Sequence, residues 1–109
     1  MKILFVVNEL GYIDPVGIAF LSAVAKRDGH ETFFCSLDRD NLISKIKTIS
    51  PDILAYSAYS CSIDKITAVN KEASLNYEFV SIVGGPHATY CPEDILARGF
   101  DACCIGEGE

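Results

Sequence analysis

The stretch Phe79-Val80-Ser81-Ile82-Val83-Gly84-Gly85-Pro86-His87-Ala88-Thr89 decides the fold. A short apolar run closed by two glycines reads as a buried strand that stops abruptly. Two adjacent glycines remove two side chains where a backbone must turn sharply or let something flat come close. Pro86 fixes the exit direction, and His87 and Thr89 are expected to put polar groups at the rim. In an open α/β sheet, ligands bind beyond the carboxyl ends of the strands. The run therefore marks a pocket.

Outward from it, apolar strand-like runs alternate with segments of helical period, the pattern of a parallel sheet wrapped by helices. Strands are predicted over residues 2–7, 31–36, 52–57, 78–83 and 101–105. Helices are predicted over 15–28, 40–49, 62–75 and 92–98. Asp14 reads as the N-cap of the first helix with Pro15 at its first position, and Gly29 as its stop. Ile18, Leu21, Val24 and Ala25 form its apolar stripe. Pro51 ends the second helix. Tyr90 and Ile95 are spaced as a hydrophobic staple around a Cys91 cap.

Five strands and four helices without a break leave few topologies once crossovers are right-handed. The expected architecture is α/β: a flavodoxin-like (Rossmann-like) three-layer sandwich with a five-stranded parallel sheet of order 2-1-3-4-5. A fifth helix, which would pack beside the first, is missing. One face of the sheet is therefore expected to be under-covered. The reading that follows is a single domain, 1–109, excised from a longer protein. A partner subunit or a homodimer through the bare face is the other way to fill the gap.

The chain has 109 residues, half of them hydrophobic and 22% charged, so it is a globular chain with one core. A formal net charge of −6 argues against nucleic acid, whose affinity rests on Lys and Arg. No apolar run reaches membrane-spanning length and no signal peptide stands at the start, so a cytoplasmic location is expected. The five cysteines, Cys35, Cys61, Cys91, Cys103 and Cys104, include no Cys-x-x-Cys pair. They read as free thiols packed as small hydrophobes, with no metal site among them.

The unusual residues gather after strands one, three, four and five. They are Asn8, Leu10, Gly11, Asp14 and Pro15; then Ser57, Tyr59 and Ser60; then Gly84, Gly85, Pro86, His87 and Thr89; then Gly106 and Glu107. In the expected strand order these loops share one edge. Each piece also has a purely structural reading. Gly84-Gly85 serves as a tight turn, Ser57 to Ser60 as a helix entry, and His87 as a hydrogen-bonded loop residue. Gly106 to Glu109 serves equally as a flexible exit. Their convergence on one edge favours a site.

Several chemistries are disfavoured. There is no Gly-x-x-x-x-Gly-Lys loop and no Gly-x-Gly-x-x-Gly after strand one. Asn8-Glu9, Tyr56-Ser57 and Ile105-Gly106 stand where a receiver domain needs acids, an aspartate and a lysine. The 8–14 loop is a poor match to a flavodoxin phosphate loop. No nucleophile elbow or Cys/His pair stands out, so no catalytic residue is assigned.

Taken together, Asp14 to Leu21, Gly29-His30-Glu31, Pro51-Asp52-Ile53, Gly84 to Thr89, Gly99-Phe100-Asp101 and Gly106-Glu107-Gly108-Glu109 resemble one family. It is the N-terminal cobalamin-binding domain of cobalamin-dependent radical-SAM enzymes. The resemblance implies cobalamin over the carboxyl edge of the sheet, with its nucleotide tail beside strand four. The wider cobalamin-binding fold carries Asp-x-His-x-x-Gly, Ser-x-Leu and Gly-Gly. Ser57-Ala58-Tyr59 and Gly84-Gly85 match the last two, and Gly17 matches the final glycine of the first. Tyr12 and Asp14 replace its aspartate and histidine, so this loop offers no imidazole to cobalt, as in the radical-SAM branch.

The Cys-x-x-x-Cys-x-x-Cys motif that holds a 4Fe-4S cluster is absent. The resemblance therefore implies a non-catalytic fragment whose parent carries the cluster and S-adenosylmethionine in a further domain. That parent would be a methyltransferase or cyclase. Read without the resemblance, the residues also allow a flavodoxin-like nucleotide- or flavin-binding module, or a partner-docking module.

Overall fold

The computed structural model describes residues 1–7, 16–37, 40–58 and 62–105. In chain order the elements are β1 (Lys2–Val7), α1 (Val16–Arg27), β2 (Glu31–Ser36), α2 (Leu42–Ile49), β3 (Ile53–Ser57), α3 (Ile63–Ser74), β4 (Val80–Gly84), α4 (Pro86–Tyr90), α5 (Pro92–Ala97) and β5 (Ala102–Cys103). The strands form one sheet in the order β2-β1-β3-β4-β5, and every pairing is parallel. This is the expected flavodoxin-like order.

Strand alternation divides the apolar residues between two faces. On one face Leu4 pairs in register with Leu54, and Val6 with Cys35 and Tyr56. These five, with Val83 of β4, are at most 2% exposed. They belong to a core with Ile46 of α2, Ile63, Ile66 and Ala73 of α3, and Ile95 of α5. The Tyr56 hydroxyl donates to Asn70 Oδ1 of α3 at 3.0 Å, and the Tyr56 ring meets Phe100 edge-on at 5.7 Å. Burial therefore raises the Tyr56 phenol well above its ordinary range, with the Cys35 thiol adding to the effect.

The opposite face carries α1, placed there by the Ser22–Thr32 hydroxyl contact of 2.6 Å. Phe5 and Val7 are buried on this side. Toward β5 the cover thins. Ile53, Ala55, Ile82 and Ala102 are only half-buried, and Val80 is 47% exposed. One face of the sheet is thus thinly covered, as the sequence leads one to expect.

Local chemistry sets the boundaries. Asn41 caps α2, its Oδ1 accepting from the Ser44 amide at 3.1 Å. The helix thus starts later than residue 40, because the Asp40 carboxylate is engaged by the Ser36 amide instead. Ser50 closes α2 in a left-handed conformation ahead of Pro51.

Three expectations are corrected. Residues 86–90 form a helix of their own, α4, because Pro86 supplies a pre-set first helical position and the Thr89 amide and hydroxyl both bond the Gly85 carbonyl. Tyr90 is 83% exposed, so it makes no staple with the buried Ile95, and Cys91 gives no side-chain cap. The fifth strand is confined to Ala102–Cys103, since the ladder to β4 runs only through Ile82–Ala102 and Val83–Cys103. Among the described residues, no helix is long and apolar enough to cross a membrane, and no group of acids, histidines and cysteines could hold a metal ion.

Candidate functional site

At the carboxyl edge, the register places Ser36, Val7, Ser57 and Gly84 in one row across β2, β1, β3 and β4. Alternation puts this row on the α1 side of the sheet. Three of its four members are serine or glycine. Among the described residues, a Cβ built on Gly84 would meet Cys104, at 3.7 Å from its Cβ and 4.0 Å from its carbonyl oxygen, which is ordinary contact.

Gly85 is different. It has φ 95° and ψ −175°, a region that residues with a Cβ rarely enter. A Cβ there would lie 2.8 Å from the Ala58 carbonyl oxygen, 3.1 Å from the Ala58 nitrogen and 3.3 Å from Ser57 Oγ. The close approach that demands glycine is thus made by the end of β3. Two backbone hydrogen bonds lock it: the Ala58 amide donates to the Gly84 carbonyl at 2.9 Å, and the His87 amide to the Ala58 carbonyl at 3.1 Å. Of the two glycines, Gly84 lies at the half-buried end of the row and Gly85 joins β4 to β3.

His87 and Thr89 do not form a polar rim. His87 is 8% exposed, and its Nε2 lies 2.7 Å from Asp94 Oδ2. The Thr89 hydroxyl turns back to the Gly85 carbonyl at 3.1 Å. The His87 ring is thus buried, and the half-buried Thr89 spends its hydroxyl on its own helix's first turn. Arg98 completes the arrangement. Its Nε donates to Asp94 Oδ2 at 2.7 Å, and its Nη1 to Asp64 Oδ1 at 2.9 Å and Thr67 Oγ1 at 3.3 Å. Hydrogen bonds from His87 and then Arg98 hold the Asp94 carboxyl below the usual carboxylate range. The sequence reading missed Asp94, Arg98, Asp64 and Thr67. The four-residue spacing of Asp94 and Arg98 on one helix was the available signal.

Ser57 is half-buried on the row, and Gly17 lies in α1. Asn8, Leu10, Gly11, Asp14, Pro15, Tyr59, Ser60, Gly106 and Glu107 lie outside the described residues, as does Cys61. Parallel neighbours β1, β3, β4 and β5 bring the ends from which these segments leave to one edge.

Comparison with known proteins gives a consistent set. A family model described as B12 binding domain matches residues 3–109. The chain is 28% identical over 102 residues to an uncharacterized methyltransferase of Pyrococcus horikoshii, covering 87% of this chain and 22% of that protein. It is 30% identical over 104 residues to an anaerobic magnesium-protoporphyrin IX monomethyl ester cyclase of Rubrivivax gelatinosus, covering 87% and 19%. A cytidylyl-2-hydroxyethylphosphonate methyltransferase of Streptomyces wedmorensis is 27% identical over 120 residues, covering 87% and 22%. The chain therefore spans about a fifth of the length of these relatives. A crystal structure of a cobalamin-binding protein from Desulfitobacterium hafniense superposes with a TM-score of 0.74 at 19% identity, covering 98% of this chain and 53% of that one. At that identity the likeness is one of fold.

Proposed function

Because the chain belongs to the B12 binding domain family, we propose that it is the cobalamin-binding module of a radical-SAM methyltransferase or cyclase. The observation that carries the reading is the half-buried pair Ser57–Gly84, the small-residue end of the row at the carboxyl edge. A flat heterocycle such as the base of a corrinoid's nucleotide tail fits against a pair of this kind, and the Ser57 hydroxyl can bond its edge.

In this reading Ser57 and Gly84 touch the tail. Gly85, Pro86, His87 and Thr89 shape the turn beside it. Asn8, Leu10, Gly11, Asp14, Pro15, Tyr59, Ser60, Gly106 and Glu107 contribute from the segments after the neighbouring strands, and Gly17 from α1. Bound cobalamin supplies a cobalt centre that carries a methyl group or takes part in radical chemistry. The module itself binds and orients the cofactor. Its acidic surface suits a small-molecule ligand better than nucleic acid.

The remaining parts of the proposal concern the parent. Residues 1–109 form one domain of a longer cytoplasmic protein whose other domain holds the 4Fe-4S cluster and S-adenosylmethionine. The short share of each relative that the chain covers supports this. The half-exposed face of β3, β4 and β5 then packs in cis in the parent, or against a second copy in the isolated chain.

The test is direct. The protein is incubated with hydroxocobalamin, desalted and scanned. Retained corrin absorbance is expected. Loss of all corrin, with a flavin retained in a parallel incubation, would transfer the site to the flavodoxin-like reading.

A further inference from the structure

We propose that Asp94 is a positioning residue for this edge: it fixes the His87 ring with Nε2 protonated and so holds the turn from Gly84 to His87 in the shape that receives the tail. The second half of the inference rests on the cobalamin reading. The first half stands on geometry alone.

The turn carries the edge of the site, and backbone hydrogen bonds to β3 and the Thr89 bonds to the Gly85 carbonyl hold its main chain. It contains a glycine at positive φ and is followed by a helix of five residues. Its backbone is tied to β3 through two hydrogen bonds, and one of them starts at the His87 amide. Whatever fixes His87 therefore fixes the end of the turn.

Asp94 does so from α5. An ionised carboxylate only accepts hydrogen bonds, so the 2.7 Å contact requires a proton on His87 Nε2. In the neutral ring, Nδ1 is then the acceptor nitrogen. Asp94 is itself oriented. Arg98 Nε, which can only donate, lies at 2.7 Å from the same oxygen, and the guanidinium reaches Asp64 and Thr67 of α3. The chain His87–Asp94–Arg98–Asp64 thus ties α4 through α5 to α3, which packs in the core. A carboxylate behind an imidazole is a recurrent means of setting a ring's tautomer and direction.

Two variants separate this role from a plain helix-charge effect. Asp94 stands in the first turn of α5, where any acid is favourable to the helix. Asp94→Asn removes the charge but keeps an acceptor. Arg98 Nε can pair only with the amide oxygen, so that oxygen stays facing His87. Asp94→Ala removes both charge and acceptor.

The experiment is long-range proton–nitrogen NMR of the labelled full chain, with His30 as the other histidine, combined with amide hydrogen exchange and hydroxocobalamin retention. In the wild type and Asp94→Asn, His87 is expected as the Nε2-protonated tautomer with slow exchange at the Ala58 and His87 amides. In Asp94→Ala the tautomers mix, both amides exchange faster, and cobalamin affinity falls about tenfold, the low end for loss of a residue supporting a ligand. Equal behaviour of the two variants would overturn the inference, as would a wild-type ring protonated on Nδ1. The wild-type tautomer decides the point even if Asp94→Ala does not fold. If His87 and the turn respond as expected but no form of the protein retains cobalamin, the positioning role stands and the cobalamin reading fails.

Discussion

Replacing Gly85 with alanine should unfold the edge of the sheet whether or not a ligand is present. The backbone conformation at φ 95°, ψ −175° costs a residue with a Cβ about 1–3 kcal/mol. The added methyl would stand 2.8 Å from the Ala58 carbonyl oxygen, a contact that must open. Opening it stretches the bonds Ala58 N–H to Gly84 O and His87 N–H to Ala58 O, each worth about 0.5–1.5 kcal/mol net. The lost freedom of the unfolded chain offsets about 0.4–1 kcal/mol of this. The net loss is centred on about 3 kcal/mol, within a range of about 1–6 kcal/mol. With a urea slope of about 1–3 kcal/mol/M for a small protein, the midpoint should fall by about 1–3 M at unchanged slope. Gly84→Ala is the control: its methyl meets Cys104 at ordinary distance, and stability should change by less than about 1 kcal/mol. Equal midpoints for Gly85→Ala and wild type would refute the reasoning, because the strained turn and the close approach to β3 would then not exist.

Other expectations follow from buried or paired groups. Tyr56→Phe strands the buried Asn70 Oδ1 and should cost about 1–3 kcal/mol in the same urea assay. The Asp94 carboxyl is held below its ordinary range in the folded protein, so its contribution is present above the unfolded carboxylate pKa and lost as pH falls through the folded one. Asp94→Asn should therefore lose less stability than wild type on acidification, read as the difference in urea midpoint between neutral and acid pH. Burial, reinforced by Asp40, pushes the Cys35 thiol up to about 11, whereas Cys91 is exposed. A thiol reagent at mildly alkaline pH should label Cys91 in the native protein and Cys35 only after unfolding, as mass spectrometry of the peptides would report.

Much of the fold was legible because local signals agreed with the global arrangement. Alternating runs placed the five strands, and Gly29 and Pro51 fall just beyond α1 and α2. The thin cover over Val80, Ile82 and Ala55 followed from counting helices. What failed was short-range. Pro86 reads equally well as a turn residue or a helix start, and only the Thr89 bonds to the Gly85 carbonyl decide for the helix. Tyr90 has the spacing of a staple, but it is the last residue of α4 and stands in solvent. At the site, the double glycine pointed to the right edge. The division of labour between Gly84 and Gly85 is a matter of which backbone lies within 3 Å, and sequence carries no such distance. The partner that the buried His87 ring meets, Asp94, is seven residues away on another helix.

The central claim is that the small-residue row ending at Gly84 receives the nucleotide arm of a corrinoid. Comparing wild-type retention of hydroxocobalamin with that of cobinamide, which lacks this arm, tests it most directly. The account predicts that hydroxocobalamin stays with the protein through desalting and cobinamide washes out. Equal retention of the two would place the contacts on the corrin ring and contradict it.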